Sequence, residues 1–334
     1  MMSSDTVERQ EQGQNSEALA GRIRELASKG AFKEAEVVRE ELMHSDAMAL
    51  SLIVSTAEFI EEQKTEHLDP EHLELWKTLY EDFSPEEINC VFYSLEQVSV
   101  AKGKLVMAQR KINNRLYFIE SGEVSLFYRQ DGKYLALLKL GSGDIFGEDT
   151  FFEVALSSLS AGTLSEVSLR YLNRKDMHTW QDKIPGLYDK LGEYCRKHGK
   201  YEEASSHEDL DRRTNFRYPV SGVATAHILD QQGNKTAAYF KGGIVDISRS
   251  GICFTMKCSK PETARALLSR QLDLSVAFQG DEENPFQARG MIVKVAFHLH
   301  TDYTVHVNLD QKIEETSFKT FPCDWSVEEN QEKG

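Results

Sequence analysis

The chain has 334 residues, which is long enough for two or three domains with separate hydrophobic cores. Its formal net charge of −15 opposes nonspecific binding to nucleic acid or to an anionic membrane surface. Five scattered cysteines without a Cys-x-x-Cys pair indicate a reducing compartment. We expect a cytoplasmic protein without membrane insertion, because Met1–Asn15 lacks the order of a signal peptide and the longest apolar run, Ala47–Ile60, is too short to cross a bilayer.

The N-terminal part is predicted to be helical after a short tail. Residues 1–15 are polar and acidic, which predicts a disordered tail. In residues 16–83 apolar side chains such as Leu19 and Ile23 recur at helical spacing, and Gly30 interrupts the pattern. A single helical hairpin cannot bury its own apolar face. We expect it to pack on neighbouring helices, with self-association or partner binding as the alternative.

Residues 84–200 change to short strands separated by glycine turns, which predicts a β-barrel or jelly roll that ends in a helix from Pro185. The stretches Leu116–Val124 and Gly143–Glu148 resemble the cyclic nucleotide-binding domain of cAMP receptor-type proteins and of protein kinase regulatory subunits. The resemblance implies a β jelly roll with a pocket for a cyclic nucleotide.

The same resemblance assigns roles to single residues of this segment. It implies that Gly147 and Glu148 open a phosphate-binding cassette, that Glu148 holds the ribose 2′-hydroxyl, and that a later arginine pairs with the cyclic phosphate. Ser160 stands where that arginine would fall, so a contact worth about 1.5–3 kcal/mol is missing. We therefore favour a degenerate domain with a structural or protein-contact role. A cAMP or cGMP pocket, supported by Thr163 and the backbone around Gly147, is the alternative.

A heptad-like stripe follows the middle domain. Its members, at alternating four- and three-residue steps, are Leu187, Leu191, Tyr194, His198 and Tyr201. In the family that the middle domain resembles, the corresponding helix pairs across a two-fold axis in many members, which implies a homodimer through Leu187–Tyr201. Gly192 and Gly199 weaken a long coiled coil, so a helix packed on its own barrel is an equal alternative.

The last third of the chain is predicted to be a β-domain. Residues 201–211 are polar and acidic and are predicted to be a linker. Residues 212–313 contain six stretches with alternating apolar side chains, which predict a six-stranded barrel. Residues 314–334 form a tail in which Phe318, Phe321 and Trp325 suggest partial docking. The whole chain is thus expected to be a multidomain α+β protein.

Two short motifs in this β-domain carry the functional prediction. They are an Arg-x-x-x-Arg segment and an Asp-x-Ser-x-x-Gly segment, with the matching positions Arg213, Arg217, Asp246, Ser248 and Gly251. In this order and separation they resemble the signature of the PilZ family, small β-barrels that bind the bacterial second messenger cyclic di-GMP. The resemblance implies that these residues bind cyclic di-GMP, and that Arg212, which precedes the motif, accompanies a stacked pair of ligand molecules per barrel.

The chemistry of the residues agrees with that resemblance. Cyclic di-GMP is a dianion with two guanines, and a guanidinium group meets guanine O6 and N7 with two parallel hydrogen bonds. On an extended segment Arg213 and Arg217 would lie about 13–14 Å apart at Cα, so they can grip different parts of one ligand. Asp246 can accept from guanine N1–H and N2–H₂, and Ser248 can bond phosphate or base. The alternative is a charged linker that runs into a strand and an ordinary turn.

No catalytic constellation appears, so we do not expect an enzyme. Three histidines, His298, His300 and His306, lie at a predicted hairpin without a further ligand fixed by spacing, so no metal site is predicted. We therefore predict a cytoplasmic cyclic di-GMP receptor of bacterial signalling, in which the ligand closes the Arg-x-x-x-Arg segment over the barrel and changes the interdomain arrangement. An unidentified downstream protein would receive the signal. The alternatives are a cyclic mononucleotide receptor acting through the middle domain, or a ligand-free interaction scaffold.

Overall fold

A computed structural model of the chain describes residues 4–130, 133–201, 217–298 and 301–323. The chain divides into two compact units, residues 1–96 with 176–191 and residues 97–175 with 192–334. This division differs from the domain boundaries predicted above, because the β-rich middle part and the C-terminal barrel group together in the second unit. Among the described residues, none of the helices has the length and hydropathy required to span a membrane.

The first unit is helical. Its N-terminal helices are α1 (Ser4–Ser28), α2 (Phe32–Ser45), α3 (Leu50–Glu66), α4 (Pro70–Leu75), α5 (Lys77–Tyr80) and α6 (Pro85–Ser94). Gly30 has a φ of +75° between α1 and α2, which glycine adopts without steric cost. Leu19 and Ile23 of α1 pack with Leu42 of α2 and Ile60 of α3 in one buried cluster. The predicted helical hairpin is thus confirmed.

The extent of α1 corrects one prediction. The helix begins at Ser4, within the segment predicted to be a disordered tail. Glutamate and glutamine have high helix propensity, so a segment rich in both continues a helix even though it offers few apolar side chains for packing. Composition alone therefore underestimated the helix.

Side chains define the starts of two helices. The carboxylate of Asp69 accepts hydrogen bonds from the backbone N–H groups of Glu71 and His72 at the start of α4. At α6, Ser84 and Glu87 form a reciprocal capping box, and Pro85 occupies the first helical position. These caps satisfy backbone donors that would otherwise have no partner.

The middle part of the chain is a β-roll of two four-stranded sheets. Its strands are β1 (Glu96–Val100), β2 (Leu105–Met107), β3 (Arg115–Ser121), β4 (Val124–Gln130), β5 (Lys133–Leu140), β6 (Ile145–Phe146), β7 (Ser160–Thr163) and β8 (Val167–Asn173). The sheet orders are β1-β8-β3-β6 and β2-β7-β4-β5. A short helix, α7 (Glu148–Phe151), lies between β6 and β7, and α8 (Arg174–Lys183) and α9 (Leu187–His198) follow β8. Both sheets contribute to one core, with Ile119 and Leu126 as buried examples.

The predicted heptad-like stripe is largely occupied within the single chain. Leu187 and Leu191 are fully buried, and Tyr194 and His198 are partly buried. Side chains that are already buried cannot form a new apolar interface without rearrangement. This favours the alternative in which the helix packs within its own chain, and the homodimer stays a prediction.

The C-terminal part is a closed β-barrel with two short helices. Its elements are β9 (Tyr218–Pro219), β10 (Gly222–Leu229), β11 (Lys235–Ser248), β12 (Gly251–Lys257), α10 (Pro261–Ala266), β13 (Gln271–Phe278), β14 (Asp281–Phe297), β15 (Asp302–Leu309) and α11 (Glu315–Phe318). The strand order is β10-β13-β14-β15-β12-β11-β9, and pairing of β10 with β11 closes the barrel. Six long strands were predicted and are confirmed. The first of them is interrupted after Pro219, which gives β9 as a short seventh strand.

Alternation of side chains fills the barrel. Along β13 every second residue is buried, including Leu272, Leu274 and Val276. Phe318 of α11 is also buried against this core, so part of the predicted tail docks as expected. Trp325, the other aromatic residue for which docking was suggested, lies outside the described residues.

Candidate functional site

The second half of the predicted motif lies on the hairpin of β11 and β12. Asp246 and Ser248 lie two residues apart on β11, and Gly251 is the first residue of β12. Ser248 is buried and pairs in register with Gly251, whose carbonyl accepts a hydrogen bond from the Ser248 hydroxyl at 3.3 Å. A Cβ on Gly251 would lie 2.9 Å from the carbonyl oxygen of Val307, so glycine allows β15 to approach closely. Ser248 and Gly251 thus define the shape of the hairpin.

Strand β9 brings one arginine of the first motif to this hairpin. Tyr218 pairs with Ile247 and Pro219 pairs with Asp246, so the residue before β9 is held beside β11. That residue is Arg217, and its Nη1 lies 3.1 Å from Oδ1 of Asp246. The Arg217 side chain is 44% exposed and that of Asp246 is 21% exposed. The structure therefore joins the two halves of the motif through an ion pair that is open to solvent.

The other two arginines of the first motif, Arg212 and Arg213, lie outside the described residues. Arg217 also has a neighbour that the sequence pattern did not identify. Its Nη1 lies 3.4 Å from Nδ1 of His306 on β15. The imidazole of His306 and the carboxylate of Asp246 thus both contact the guanidinium group of Arg217.

His306 is held in its neutral form. Burial lowers its pKa to about 4, and the positive charges of Arg217 and Lys294 act in the same direction. Its Nε2 lies 3.9 Å from Sγ of Cys253, whose pKa is raised to about 12 by burial and by the carboxylate of Asp246. A neutral imidazole beside a protonated thiol provides neither a cation nor a thiolate at neutral pH.

The histidines offer no metal cluster within the described part of the chain. His298 bonds the hydroxyl of Thr304 at 3.1 Å, and His300 lies outside that part. Among the residues that the structure describes, no three His, Cys, Asp or Glu side chains are grouped as metal ligands.

A large cleft lies next to the Arg217 side chain. Its volume is about 1240 Å³, and residues of the β-roll, of the end of α9 and of the barrel line it. The barrel contributes Arg217, Ser250, Val293, Lys294, Asn308 and Lys312. Both walls belong to the second compact unit.

The residues predicted for the middle domain are divided between two cavities. Glu148 lines the large cleft, where its carboxylate accepts a hydrogen bond from the backbone N–H of Tyr201 at 3.0 Å. Burial raises the pKa of Glu148 to about 7. Gly147 has a φ of +90°, and a Cβ there would lie 2.7 Å from the carbonyl oxygen of Arg115. Thr163 instead lines a second cavity, of about 680 Å³.

The hydroxyls of Thr163 and Ser160 both bond backbone groups of the segments that flank β2. The hydroxyl of Thr163 accepts from the N–H of Lys104 at 2.9 Å and donates to the carbonyl of Ala101 at 2.8 Å. The hydroxyl of Ser160 accepts from the N–H of Gln109 at 2.9 Å. Neither hydroxyl is brought to Glu148, so the predicted set of Gly147, Glu148 and Thr163 does not form one constellation.

Comparison with known families accounts for both β-rich parts. Residues 97–182 match the family model of the cyclic nucleotide-binding domain, and residues 211–320 match that of the PilZ domain. The chain carries both domains. The resemblances noted from Glu148 and from the Arg217 and Asp246 motifs are thus confirmed at the level of family.

The curated relatives match part of the chain. A "CRP-like cAMP-activated global transcriptional regulator" of Mycobacterium tuberculosis is 29% identical over 114 residues, which are 34% of this chain and 51% of that protein. The "Cyclic AMP receptor protein" of Thermus thermophilus is 29% identical over 108 residues, 32% of this chain and 50% of that protein. The chain thus spans about half the length of the curated relatives it matches.

Solved structures similar to the chain include the catabolite activator protein of Thermus thermophilus. It is 26% identical with a TM-score of 0.34, and the match covers 40% of this chain and 62% of that one. The N-terminal domain of a transcriptional regulator from Streptomyces coelicolor A3(2) is 24% identical with a TM-score of 0.33, and the match covers 36% of this chain and 89% of that one.

Sequence reasoning missed most of the residues that line the cleft. In the cyclic nucleotide-binding domain these include Arg110 and Arg129, and in the PilZ domain Lys294 and Asn308. None of them belongs to a motif with recognisable spacing. They meet only because the two domains pack within one unit, so a single sequence contains no pattern from which to find them.

Proposed function

We propose that this chain is a receptor for cyclic di-GMP in bacterial signalling and that it binds the ligand through its PilZ domain. The observation that carries the proposal is the contact of Arg217 with Asp246, at 3.1 Å. Of these two residues, Arg217 lines the large cleft. Both residues lie in the segment that matches the PilZ family, and both belong to the two-part motif.

Binding would exchange one ion pair for two ligand contacts. A solvent-exposed pair such as Arg217 with Asp246 contributes about 0–1 kcal/mol, so a ligand can separate it at little cost. The freed guanidinium matches guanine O6 and N7, and the freed carboxylate matches guanine N1–H and N2–H₂. The neutral His306 beside Arg217 would accept or donate one hydrogen bond without adding charge.

The remaining motif residues complete the proposed site. Arg213 would hold a phosphate or the second guanine, and Arg212 would accompany a second, stacked ligand molecule. A cleft of about 1240 Å³ exceeds the 300–1,000 Å³ that is typical of a small-molecule site, which supports room for two molecules. Ser248 and Gly251 would present the hairpin, and the Ser248 hydroxyl would reach the ligand by turning from the Gly251 carbonyl.

The signal would pass through the arginine-bearing segment. Closure of residues 212–217 over the dianion would shift the population of interdomain arrangements and expose or hide a surface for a downstream protein. Both matched families are regulatory, ligand-binding families and not catalytic ones. We infer a cytoplasmic, non-enzymatic effector.

Calorimetric titration of the full chain with cyclic di-GMP tests the proposal. Arg217→Ala should weaken binding about tenfold to hundredfold, because a charge-assisted hydrogen bond contributes about 1.5–3 kcal/mol. Arg270→Ala is the matched control, since Arg270 is an exposed arginine of the same domain that does not line the cleft. Equal affinity of wild type and Arg217→Ala, or no binding by wild type, would refute the proposal.

The cyclic nucleotide-binding domain supports a second candidate less well. Its curated relatives are described as cAMP-activated or as a cyclic AMP receptor, which favours a cyclic mononucleotide receptor by analogy. Against it, the Glu148 carboxylate is bonded to Tyr201 and Ser160 replaces the expected arginine. We therefore propose a degenerate domain, and a ligand-free scaffold remains the outcome if neither class of nucleotide binds.

A further inference from the structure

The cleft beside Arg217 is cationic although the chain as a whole is acidic. Its positively charged lining residues are Arg110, Arg129, Arg196, Arg217, Lys294 and Lys312. Its carboxylates are those of Glu148, Asp149 and Glu153. A net positive cavity in a chain of net charge −15 concentrates anions at one place.

The lining has six cationic and three acidic side chains, so its carboxylates are too few to neutralise it. Glu153 is paired with Lys294 at 2.6 Å. Burial raises the pKa of Glu148 to about 7, so that a fraction of its carboxyl groups is protonated and uncharged at neutral pH. Within the described residues, no carboxylate forms an ion pair with Arg110, Arg129 or Arg196. These three guanidinium groups of the wall opposite the PilZ domain are available to a ligand.

Arg110 is held in an unusual backbone conformation. Its φ is +60°, in the left-handed region that residues with a Cβ seldom adopt. The conformation is held by a hydrogen bond from its N–H to the carbonyl of Ser157 at 2.6 Å. Strained residues of this kind concentrate at ligand clamps, where the surrounding structure enforces them.

Arg129 lies near the end of β4 and lines both the large cleft and the second cavity. Its backbone N–H bonds the side chain of Gln109 at 2.8 Å, and its guanidinium lies 5.6 Å from the ring centre of Tyr134. Contact with an aromatic ring limits the positions of the guanidinium group while leaving its donors free.

The two walls are fixed to each other by backbone hydrogen bonds. The N–H of Leu156 donates to the carbonyl of Val293 at 2.8 Å, and the N–H of Val295 donates to that of Val154 at 2.8 Å. The side chain of Val154 packs against the barrel core. In this arrangement Arg110 and Arg129 of the cyclic nucleotide-binding domain line one cleft together with Arg217.

We propose that Arg110 and Arg129 of the cyclic nucleotide-binding domain form the second wall of the cyclic dinucleotide site. The inference rests on the proposed function of the PilZ domain and extends it. The PilZ residues hold one face of the ligand, and the two arginines bind the phosphate or guanine acceptors of the other face. The cyclic nucleotide-binding domain thus contacts the cyclic dinucleotide that the neighbouring PilZ domain holds, and it binds no cyclic mononucleotide of its own.

The test is calorimetric titration of the full chain with cyclic di-GMP. The double variant Arg110→Ala with Arg129→Ala should weaken binding at least tenfold, while Arg270→Ala should stay within twofold of wild type. Replacing both arginines by lysine should restore part of the affinity, since lysine keeps the charge but not the planar fork. Thermal unfolding of each variant verifies that the fold is retained.

The outcomes separate this inference from the function it rests on. If wild type binds, Arg217→Ala loses affinity and the double alanine variant binds as wild type does, the second wall is refuted while the receptor function stands. If wild type does not bind, both are refuted. If the double alanine variant does not fold, the single variants Arg110→Lys and Arg129→Lys are titrated instead. Binding of cyclic di-GMP at least threefold weaker in either variant supports the second wall. Wild-type affinity in both variants overturns it.

Discussion

The carboxylate of Glu148 accepts a hydrogen bond from the backbone N–H of Tyr201, with 3.0 Å between Oε1 and N. The Tyr201 hydroxyl lies 2.9 Å from the Ser158 hydroxyl, and its ring packs against the core of the β-roll. The family resemblance implies that Glu148 contacts a ribose. Its carboxylate is instead bonded to Tyr201 of the same chain. Tyr201 directly precedes the segment that leads to the PilZ arginines, so it stands between the two domains in the chain.

The buried carboxyl of Glu148 should make stability depend on pH. Its pKa is raised from 4.5 to about 7, so the folded chain binds more protons than the unfolded chain between these values. The stability from this group is therefore fully present below pH 4.5 and is lost as pH rises to about 7. We expect Glu148→Gln to reduce the fall in unfolding temperature between pH 5 and pH 8, by an amount corresponding to about 1–3 kcal/mol.

Thermal unfolding at several pH values, followed by circular dichroism, measures this effect. Glu262→Gln is a suitable control, because Glu262 is exposed on α10. If wild type and Glu148→Gln lose stability equally with pH, the carboxyl of Glu148 is not the group responsible.

Cyclic mononucleotides should bind the full chain only weakly. Glu148 is occupied by Tyr201, and Ser160 offers its hydroxyl to Gln109 instead of a charge to a phosphate. We expect dissociation constants above about 1 mM for cAMP and cGMP, which is less than about 4 kcal/mol of binding free energy. Micromolar binding that is lost in Glu148→Ala and kept in Arg217→Ala would instead assign the receptor function to the middle domain.

Gly251 should not tolerate a side chain. A Cβ there would lie 2.9 Å from the carbonyl oxygen of Val307, a backbone atom that can move only with β15. We expect Gly251→Ala to lower the free energy of unfolding by about 1–3 kcal/mol. Gly243→Ala on β11 is the control, since its Cβ would lie 3.7 Å from the Thr255 hydroxyl, an ordinary contact. Similar denaturation midpoints for the two variants would contradict the packing argument.

The contact between the two β-domains should depend mainly on backbone hydrogen bonds. The pair of Glu153 with Lys294 is partly exposed, so it contributes about 0–1 kcal/mol. Lys294→Glu should therefore speed amide hydrogen exchange at Leu156 and Val295 by no more than about fivefold.

The exchanged pair provides the control for that experiment. Combining Lys294→Glu with Glu153→Lys should return the exchange rates toward those of wild type, because it restores opposite charges at 2.6 Å in the present geometry. Complete loss of protection in Lys294→Glu would show that the ion pair, and not the backbone pairing, holds the two domains together.

Local patterns predicted what depends on neighbours in sequence. Helical spacing and Gly30 located α1 and α2, and alternation located the long barrel strands, because burial of one face imposes a period on the chain. The exception was residues 4–15, where helix propensity decided the outcome without an apolar stripe to reveal it.

The functional prediction also rested on local sequence patterns, and it could not include contacts between residues far apart in the chain. Arg217, Asp246, Ser248 and Gly251 could be grouped in advance because a family signature states their order and spacing. His306 could not be anticipated, since it reaches Arg217 only through the pairing of β15 with β12.

The amino-acid sequence by itself determined the two β-domains, the helices before them and the grouping of Arg217 with Asp246, Ser248 and Gly251, since each follows from local periodicity, turn chemistry or fixed spacing. Only the tertiary structure decided that Tyr201 bonds the carboxylate of Glu148, that Thr163 lines another cavity, and that Arg110 and Arg129 line one cleft with Arg217. Those relationships join residues far apart in the chain. Their energies come from packing and backbone pairing between domains, which leave no period in a single sequence.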